Sequence, residues 1–253
     1  TWENSLIDGV WTYSIDEVET GLRAAYAALA KDLRAAHGVE LTTTGAIGVS
    51  GMMHGYLPLD ADGAPLTAFR TWRNTITAES SAALSALFGL NIPQRWSVSH
   101  LHRAVTGGEE HVASIARITT LAGYVHWRLT GRHVLGVGEA SGVFPIGADG
   151  RSFDADMIAA FDGAVAAPWS LADILPEVAV AGREAGRLTE SGAALTLAGL
   201  MRSHLFSLFA SMAHGVAVLR RSADVPIDSM FAHGGIFATP EIPQRTLAAA
   251  FDT

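Results

Sequence analysis

The sequence predicts an α/β protein from three observations. Short β-rich segments take turns with helical segments along the chain, which is the order of elements typical of the α/β class. Hydrophobic residues make up 49% of the 253 residues and charged residues 17%, so there is enough apolar material for a core. At about 150 residues per domain, this length fits one large or two modest domains.

The first helix carries the clearest boundary signals. Ser14 and Glu17 form a capping box, in which Ser14 accepts a hydrogen bond from the Glu17 amide. Apolar residues then recur at helical spacing, and Gly38 is placed to end the helix. The other elements are expected in this order: strands at 42–50 and 53–59, a turn at 60–63, helices at 78–87 and 115–129, a strand at 141–146, a turn at 147–150, helices at 154–161 and 197–221, a strand at 225–232 and a helix at 244–251.

Charge and composition exclude several functions. The formal net charge is −8, which disfavours non-specific binding to nucleic acid. There is no cysteine, so disulfides, cysteine-ligated metals and cysteine nucleophiles are ruled out. No stretch approaches about 20 consecutive apolar residues, and the N-terminal residues do not resemble a signal peptide. We expect a cytoplasmic protein that binds neither nucleic acid nor membrane.

The loop after the predicted strand at 42–50 is the first candidate site. Gly51 and Gly55 flank a methionine pair and His54, at the strand end where α/β proteins hold ligands. The glycines would let a ligand approach the backbone, Met53 would contact it, and His54 can donate or accept a hydrogen bond. The alternative is that the methionines fill the core and His54 is a turn residue.

Trp72, Arg73 and Asn74 form the second candidate site. An aromatic ring beside a guanidinium and an amide suits a polyhydroxylated ligand, because the ring packs on C–H faces while the polar groups bind hydroxyls. An amphipathic loop anchor explains the same three residues equally well.

The third candidate lies near the C-terminus. The glycines Gly234 and Gly235 follow a predicted strand, and a helix begins near Gln244, an arrangement that often holds phosphate or nucleotide. Neither a complete phosphate-loop motif nor a complete dinucleotide-binding motif is present. A metal site at His100, His102 and His111 is disfavoured, because neighbouring helical residues do not share a face and no Glu completes a zinc spacing. Asp154 and Asp156 are interpreted as helix-capping residues.

Taken in order, these motifs resemble the FGGY carbohydrate kinases, and their xylulokinase-like branch in particular. The matching stretches are 47–55 with "IGxSGQMHG", 59–66 with "LDxDGxPL", 71–74 with "LWND", 121–131 with "xDYLxYRLTG", 139–142 with "DASG", and 231–235 with 244–249 for "xxGGG…xQxxAD". Each match is modest, but their common order is specific to the family.

The resemblance implies a two-domain, actin-like ATPase (ribonuclease H-like) fold, here incomplete. Residues 1–195 would be the sugar-binding domain without its first strand, and residues 196–253 part of the nucleotide-binding domain. The implied reaction is phosphorylation of a hydroxyl on a ketose such as a pentulose, or on a related polyol, by ATP with Mg²⁺. The implied sugar ligands are Met53, His54, Trp72, Arg73 and Asn74, and the implied nucleotide ligands are Gly234, Gly235 and Gln244. A homodimer is compatible with this assignment.

The sequence also departs from the family pattern. Met52 replaces the usual Gln, Arg73-Asn74 replaces Asn-Asp, and His233 replaces the first of three glycines. The opening "DxGTT/S" strand and the "GxxD" segment with its Asp general base are absent, so the catalytic residue has no counterpart here and the sequence is expected to be a fragment or to lack internal segments. The alternative function is a non-catalytic sugar-binding relative. An actin-like structural ATPase is disfavoured by the two sugar-type clusters.

Overall fold

The computed structural model describes residues 4–41 and 46–189. The strands are β1 (Ser5–Ile7), β2 (Val10–Tyr13), β3 (Leu57–Leu59), β4 (Phe69–Arg70), β5 (Arg117–Thr119), β6 (Val134–Gly136) and β7 (Glu177–Ala179). The helices are α1 (Ile15–His37), α2 (Ala78–Phe88), α3 (Ser97–Thr106), α4 (Leu121–Thr130), α5 (Val137–Ala140), α6 (Ala155–Ala164) and α7 (Leu171–Ile174), with a 3₁₀ turn at Glu110–Ser114. The described chain is therefore mixed α/β.

The described residues fall into two compact units. The larger comprises residues 4–21 and 51–189, and the smaller comprises residues 22–41 and 46–50. In the smaller unit, the Tyr26 hydroxyl donates to the carbonyl of Leu41, and Arg34 pairs with Glu40 at 2.5 Å. None of the described helices is both long and apolar enough to cross a bilayer.

Three small sheets organise the larger unit. The first is antiparallel with the order β1-β2-β4, in which Thr12 faces Arg70. The second pairs β3 with β5 antiparallel, and the third pairs β6 with β7 in parallel. Helices α2, α3 and α6 pack around the main core, where Phe144, Phe161 and Leu101 are completely buried.

Several elements confirm the sequence predictions. The Glu17 amide donates to Ser14 Oγ at 3.2 Å, and α1 ends at Gly38, which has a left-handed φ of 64°. Asp60 closes the predicted turn by accepting from the Gly63 amide, and Asp154 caps α6 by accepting from the Met157 amide. Helix α2 matches the predicted bounds to within one residue.

The predicted strands at 42–50 and 141–146 are wrong where the structure describes them. Residues 46–50 alternate between half-buried and exposed and lie outside the described strands, since strand formation depends on long-range pairing that local sequence does not reveal. Residues 141–146 form a turn that continues from α5, with Phe144 donating to the carbonyl of Ala140. Val143 and Phe144 are apolar because they fill the core, and only Ile146 makes an isolated bridge, to Phe153.

Two further predictions were right in part. The strand predicted at 53–59 is limited to β3 and a bridge at Tyr56. The helix predicted at 115–129 begins only at Leu121, because β5 pairs with β3 and Thr120 caps the helix by accepting from the Gly123 amide. The β-branched run Ile118-Thr119-Thr120 favours a strand that ends at a helix N-cap, so the sequence did contain evidence for this boundary. The elements predicted at 197–221, 225–232 and 244–251 lie outside the described residues.

Candidate functional site

Two loops face each other beyond the end of β4. The Tyr56 amide donates to the carbonyl of Arg70 at 2.9 Å, and the Arg70 amide returns a bond to Tyr56 at 3.1 Å. This reciprocal pair joins the segment before β3 to β4 in antiparallel fashion. The residues just outside it, 53–55 on one segment and 71–74 on the other, therefore leave the pair at the same end. These are the first two clusters that the sequence predicts as a site.

Gly55 allows this close approach. It has a φ of 124°, and a Cβ there would lie 2.6 Å from the Arg70 carbonyl oxygen and 2.8 Å from the Phe69 ring. Both the conformation and the space exclude a side chain. Ser97, at the start of α3, fixes the same backbone by donating from Oγ to the Gly55 carbonyl at 2.5 Å.

His54 is half-buried against the backbone of the α5 turn. A Cβ on Gly142 would lie 2.6 Å from His54 Nδ1, so the ring rests directly on that glycine. Burial and then the charge of Arg95 lower the pKa of His54, so the ring is neutral at neutral pH. Nδ1 is buried against this turn, so Nε2 is the ring nitrogen left to bond a ligand hydroxyl. The preceding Met53 is 38% exposed.

The facing loop exposes an indole ring and a cation. Trp72 is 51% exposed, and Arg73 is exposed with its guanidinium carbon 4.1 Å from the ring centroid of Trp11 in β2. This is cation–π geometry, and it holds the guanidinium flat against the indole face. Trp11 had not been predicted as part of the site, and its place in an alternating strand gave no signal beyond its aromatic character.

Asn74 braces this loop. It is only 3% exposed, its Oδ1 accepts from the Trp11 amide at 2.8 Å, and its Nδ2 donates to the carbonyls of Trp11 and Thr71 at 2.8 and 2.9 Å. Both amide hydrogens are thereby used by backbone. The side chain thus ties β2 to the loop that carries Trp72 and Arg73, and it offers no free N–H to a ligand.

A buried ionic cluster lies behind the loop. Arg70 makes a bidentate pair with Glu109, which also pairs with Arg103 at 2.7 Å and approaches His111 at 3.5 Å. Burial alone would raise the pKa of Glu109, but Arg70, together with His111 and Arg103, more than offsets this, and the net pKa is lowered. The cluster fixes the end of β4, from which the Trp72–Arg73 loop departs.

The three histidines disfavoured as metal ligands have separate roles. His102 bonds Ser80 at 3.0 Å, His111 bonds the Tyr56 hydroxyl at 2.9 Å, and His100 stacks on the Tyr56 ring inside the core. No cluster of His, Asp and Glu in residues 4–41 and 46–189 could hold a metal ion. The predicted nucleotide residues Gly234, Gly235 and Gln244 lie outside the described residues.

The sequence matches two family models. The model described as the FGGY family of carbohydrate kinases, N-terminal domain, matches residues 3–207, and the model of the C-terminal domain of that family matches residues 178–253. A comparison with curated proteins finds no significant match.

Solved structures give the same fold. A xylulose kinase from Rhodospirillum rubrum has a TM-score of 0.62 and 23% identity, over 76% of this chain and 40% of that one. A gluconate kinase from Lactobacillus acidophilus has a TM-score of 0.59 and 15% identity, over 82% of this chain and 44% of that one. A glycerol kinase from Plasmodium falciparum with ADP has a TM-score of 0.59 and 16% identity, over 77% of this chain and 40% of that one. The chain spans about two fifths of the length of these proteins, and it shares part of their two-domain, actin-like fold.

Proposed function

Because the chain belongs to the FGGY family of carbohydrate kinases, we propose that it serves the ATP-dependent phosphorylation of a sugar hydroxyl. The acceptor in this proposal is a ketose such as a pentulose, or a related polyol. The observation that carries the proposal is the pairing of Tyr56 with Arg70, from which the Met53–His54 loop and the Trp72–Arg73 loop leave at the same end. The xylulose, gluconate and glycerol kinases of the same fold support a polyhydroxylated substrate.

The exposed side chains suit the recognition of such a substrate. The Trp72 ring can pack on the C–H face of a sugar, since half of the residue is accessible. Because Nδ1 of His54 is buried, the proposed contact of this ring is one hydrogen bond between Nε2 and a hydroxyl, and Arg73 supplies further donors. In phosphoryl transfer, most of the catalytic effect comes from positioning and charge stabilisation. The proposed contribution of these residues is to hold the accepting hydroxyl in place.

The other partners of the reaction are assigned by family membership. ATP would supply the phosphoryl group, with Mg²⁺ neutralising charge on its phosphates. We propose Gly234, Gly235 and Gln244 as nucleotide ligands and residues 196–253 as part of the nucleotide-binding domain, with residues 1–195 as the sugar-binding domain. An Asp general base belongs to a family segment without a counterpart in this sequence. We also propose a cytoplasmic location, in keeping with the cysteine-free, acidic composition.

A coupled ADP-release screen tests the function. The protein is mixed with Mg-ATP and a panel of pentuloses, hexuloses and polyols, and sugar-dependent ADP formation is measured against a sugar-free control. At least one panel member should give ADP release above the control. Sugar binding without any ADP release would support the non-catalytic alternative. The absence of both binding and turnover would contradict the whole assignment.

A further inference from the structure

Arg73 is held in place from two sides. Its guanidinium carbon lies 4.1 Å from the centroid of the Trp11 ring. Asn74, the next residue, bonds both the amide and the carbonyl of Trp11 at 2.8 Å. The strand that carries the ring and the loop that carries the cation are therefore tied together next to the contact. A guanidinium ordered in this way loses less entropy when it binds a ligand.

The charge of Arg73 is not neutralised by the described part of the protein. Within residues 4–41 and 46–189, no carboxylate lies in ion-pair distance of Arg73. Arg70, three residues earlier, also lies over an aromatic ring, 5.3 Å from the centroid of Tyr56, but it is buried and makes a bidentate pair with Glu109. Two arginines of one segment thus have opposite environments. Arg70 supports the structure, whereas Arg73 presents its charge to solvent.

A second cation lies near the Met53–Gly55 loop. Arg95 is exposed, and it stands two residues before Ser97, whose hydroxyl binds the Gly55 carbonyl. Its charge is one of the causes that lower the pKa of His54. A positive charge near the loop favours an anionic ligand over a neutral one.

The stacking of Arg73 on Trp11 favours a particular kind of anion. Stacking occupies the face of the guanidinium and leaves its N–H donors directed outward in the plane. Two of these donors match the two oxygens of a carboxylate, whereas a lone hydroxyl satisfies only one. Resting on the proposed function, we propose that the substrate is a sugar acid, a polyhydroxylated chain whose carboxylate pairs with Arg73 on the face of Trp11.

Binding measurements with matched ligands test this. Isothermal titration calorimetry on the whole chain compares pentonates and hexonates with the neutral pentitols, hexitols and ketoses of the same carbon number. The acids should bind at least about tenfold more tightly than their neutral counterparts. The variant Arg73→Gln should weaken the binding of the acids more than that of the neutral sugars and so lose this preference, and Arg73→Lys, which keeps the charge without the paired donors, should retain part of it. Arg151→Gln, at an exposed arginine of another loop, is the matched control.

The outcomes separate this inference from the proposed function. Equal affinity for acids and neutral sugars in the unmodified protein would overturn the inference, as would an equal loss of both in Arg73→Gln. Phosphorylation of a neutral sugar with no preference for acids would leave the kinase function standing and reject only the carboxylate site. A preference for acids with no ADP release would reject the kinase function and keep the site. If no sugar of either kind binds, both are rejected.

Discussion

Three neighbouring residues of the second cluster illustrate how environment decides a role. Trp72 and Arg73 are exposed and open to a ligand, but Asn74 is buried and has given both amide hydrogens to backbone carbonyls. Their residue types suggested a single hydroxyl-binding group. The fold instead makes Asn74 the brace that holds the other two, a distinction that depends on the backbone of Trp11, more than sixty residues away.

His100 is a titratable residue with a structural role. It is completely buried, and neither ring nitrogen has a hydrogen-bond partner among the described residues. Burial, assisted by Arg70 and Arg103, lowers the pKa of His100 to about 3. The unfolded chain therefore binds a proton at this position below the ordinary pKa of 6.5, while the folded chain does not. Stability from this residue is present at neutral pH and is lost as the pH falls from 6.5 towards 3.

We predict that His100→Phe makes the protein less sensitive to acid. The ring keeps its stack on Tyr56, and the proton uptake on unfolding is removed. Between about pH 6.5 and 5, the variant should lose roughly 2 kcal/mol less unfolding free energy than the unmodified protein. Urea denaturation at a series of pH values measures this. His37→Phe, at an exposed position, is the control, and identical pH profiles for the unmodified protein and His100→Phe would contradict the account.

The turn after α5 supports the side chain of His54. Glu139 in this short helix accepts a hydrogen bond from Thr120, the residue that caps α4, and Thr120 in turn accepts from the Gly123 amide. Burial raises the pKa of Glu139, and this is only partly offset by the Thr120 hydroxyl. The turn is thereby fixed to α4, and its Gly142 backbone supports the imidazole.

We predict that Gly142→Ala weakens sugar binding. The new Cβ would lie 2.6 Å from His54 Nδ1 and 2.7 Å from the Met53 carbonyl oxygen, so the loop must move away. We expect about a tenfold loss of affinity and about 1 kcal/mol of stability. Gly138→Ala in α5 is the matched control, because a Cβ there meets nothing within 4 Å. Calorimetry and thermal melts of both variants give the answer, and unchanged affinity in Gly142→Ala would show that the turn does not position His54.

Local signals were sufficient for some elements and not for others. The cap at Ser14 and the turn at Asp60 depend on bonds between residues close in sequence, and both were predicted. The two incorrect strand predictions concern segments whose environment is set by distant residues. Residues 46–50 lie outside the described strands, and Val143 and Phe144 are apolar because they fill the core. The same distinction applies to the candidate site. The residue types of its two loops predicted them as candidates, but the contact of Arg73 with Trp11 depends on a strand that is distant in sequence.

For the whole molecule, binding and stability should be linked. A sugar that binds only the folded chain stabilises it by a free energy that grows with the logarithm of the sugar concentration above its dissociation constant. Sugars that support ADP release should therefore also raise the melting temperature. The variant His54→Ala should lose this stabilisation while keeping the melting temperature of the sugar-free protein.

The affinity of His54→Ala for such a sugar decides whether the Met53–His54 loop binds sugar. Removing an imidazole whose Nε2 bonds a sugar hydroxyl should weaken binding about tenfold, with little change in the sugar-free melting temperature. His37→Ala, at an exposed histidine of α1, should bind as the unmodified protein does. If His54→Ala binds the sugar as tightly as the unmodified protein, the Met53–His54 loop is not the sugar site.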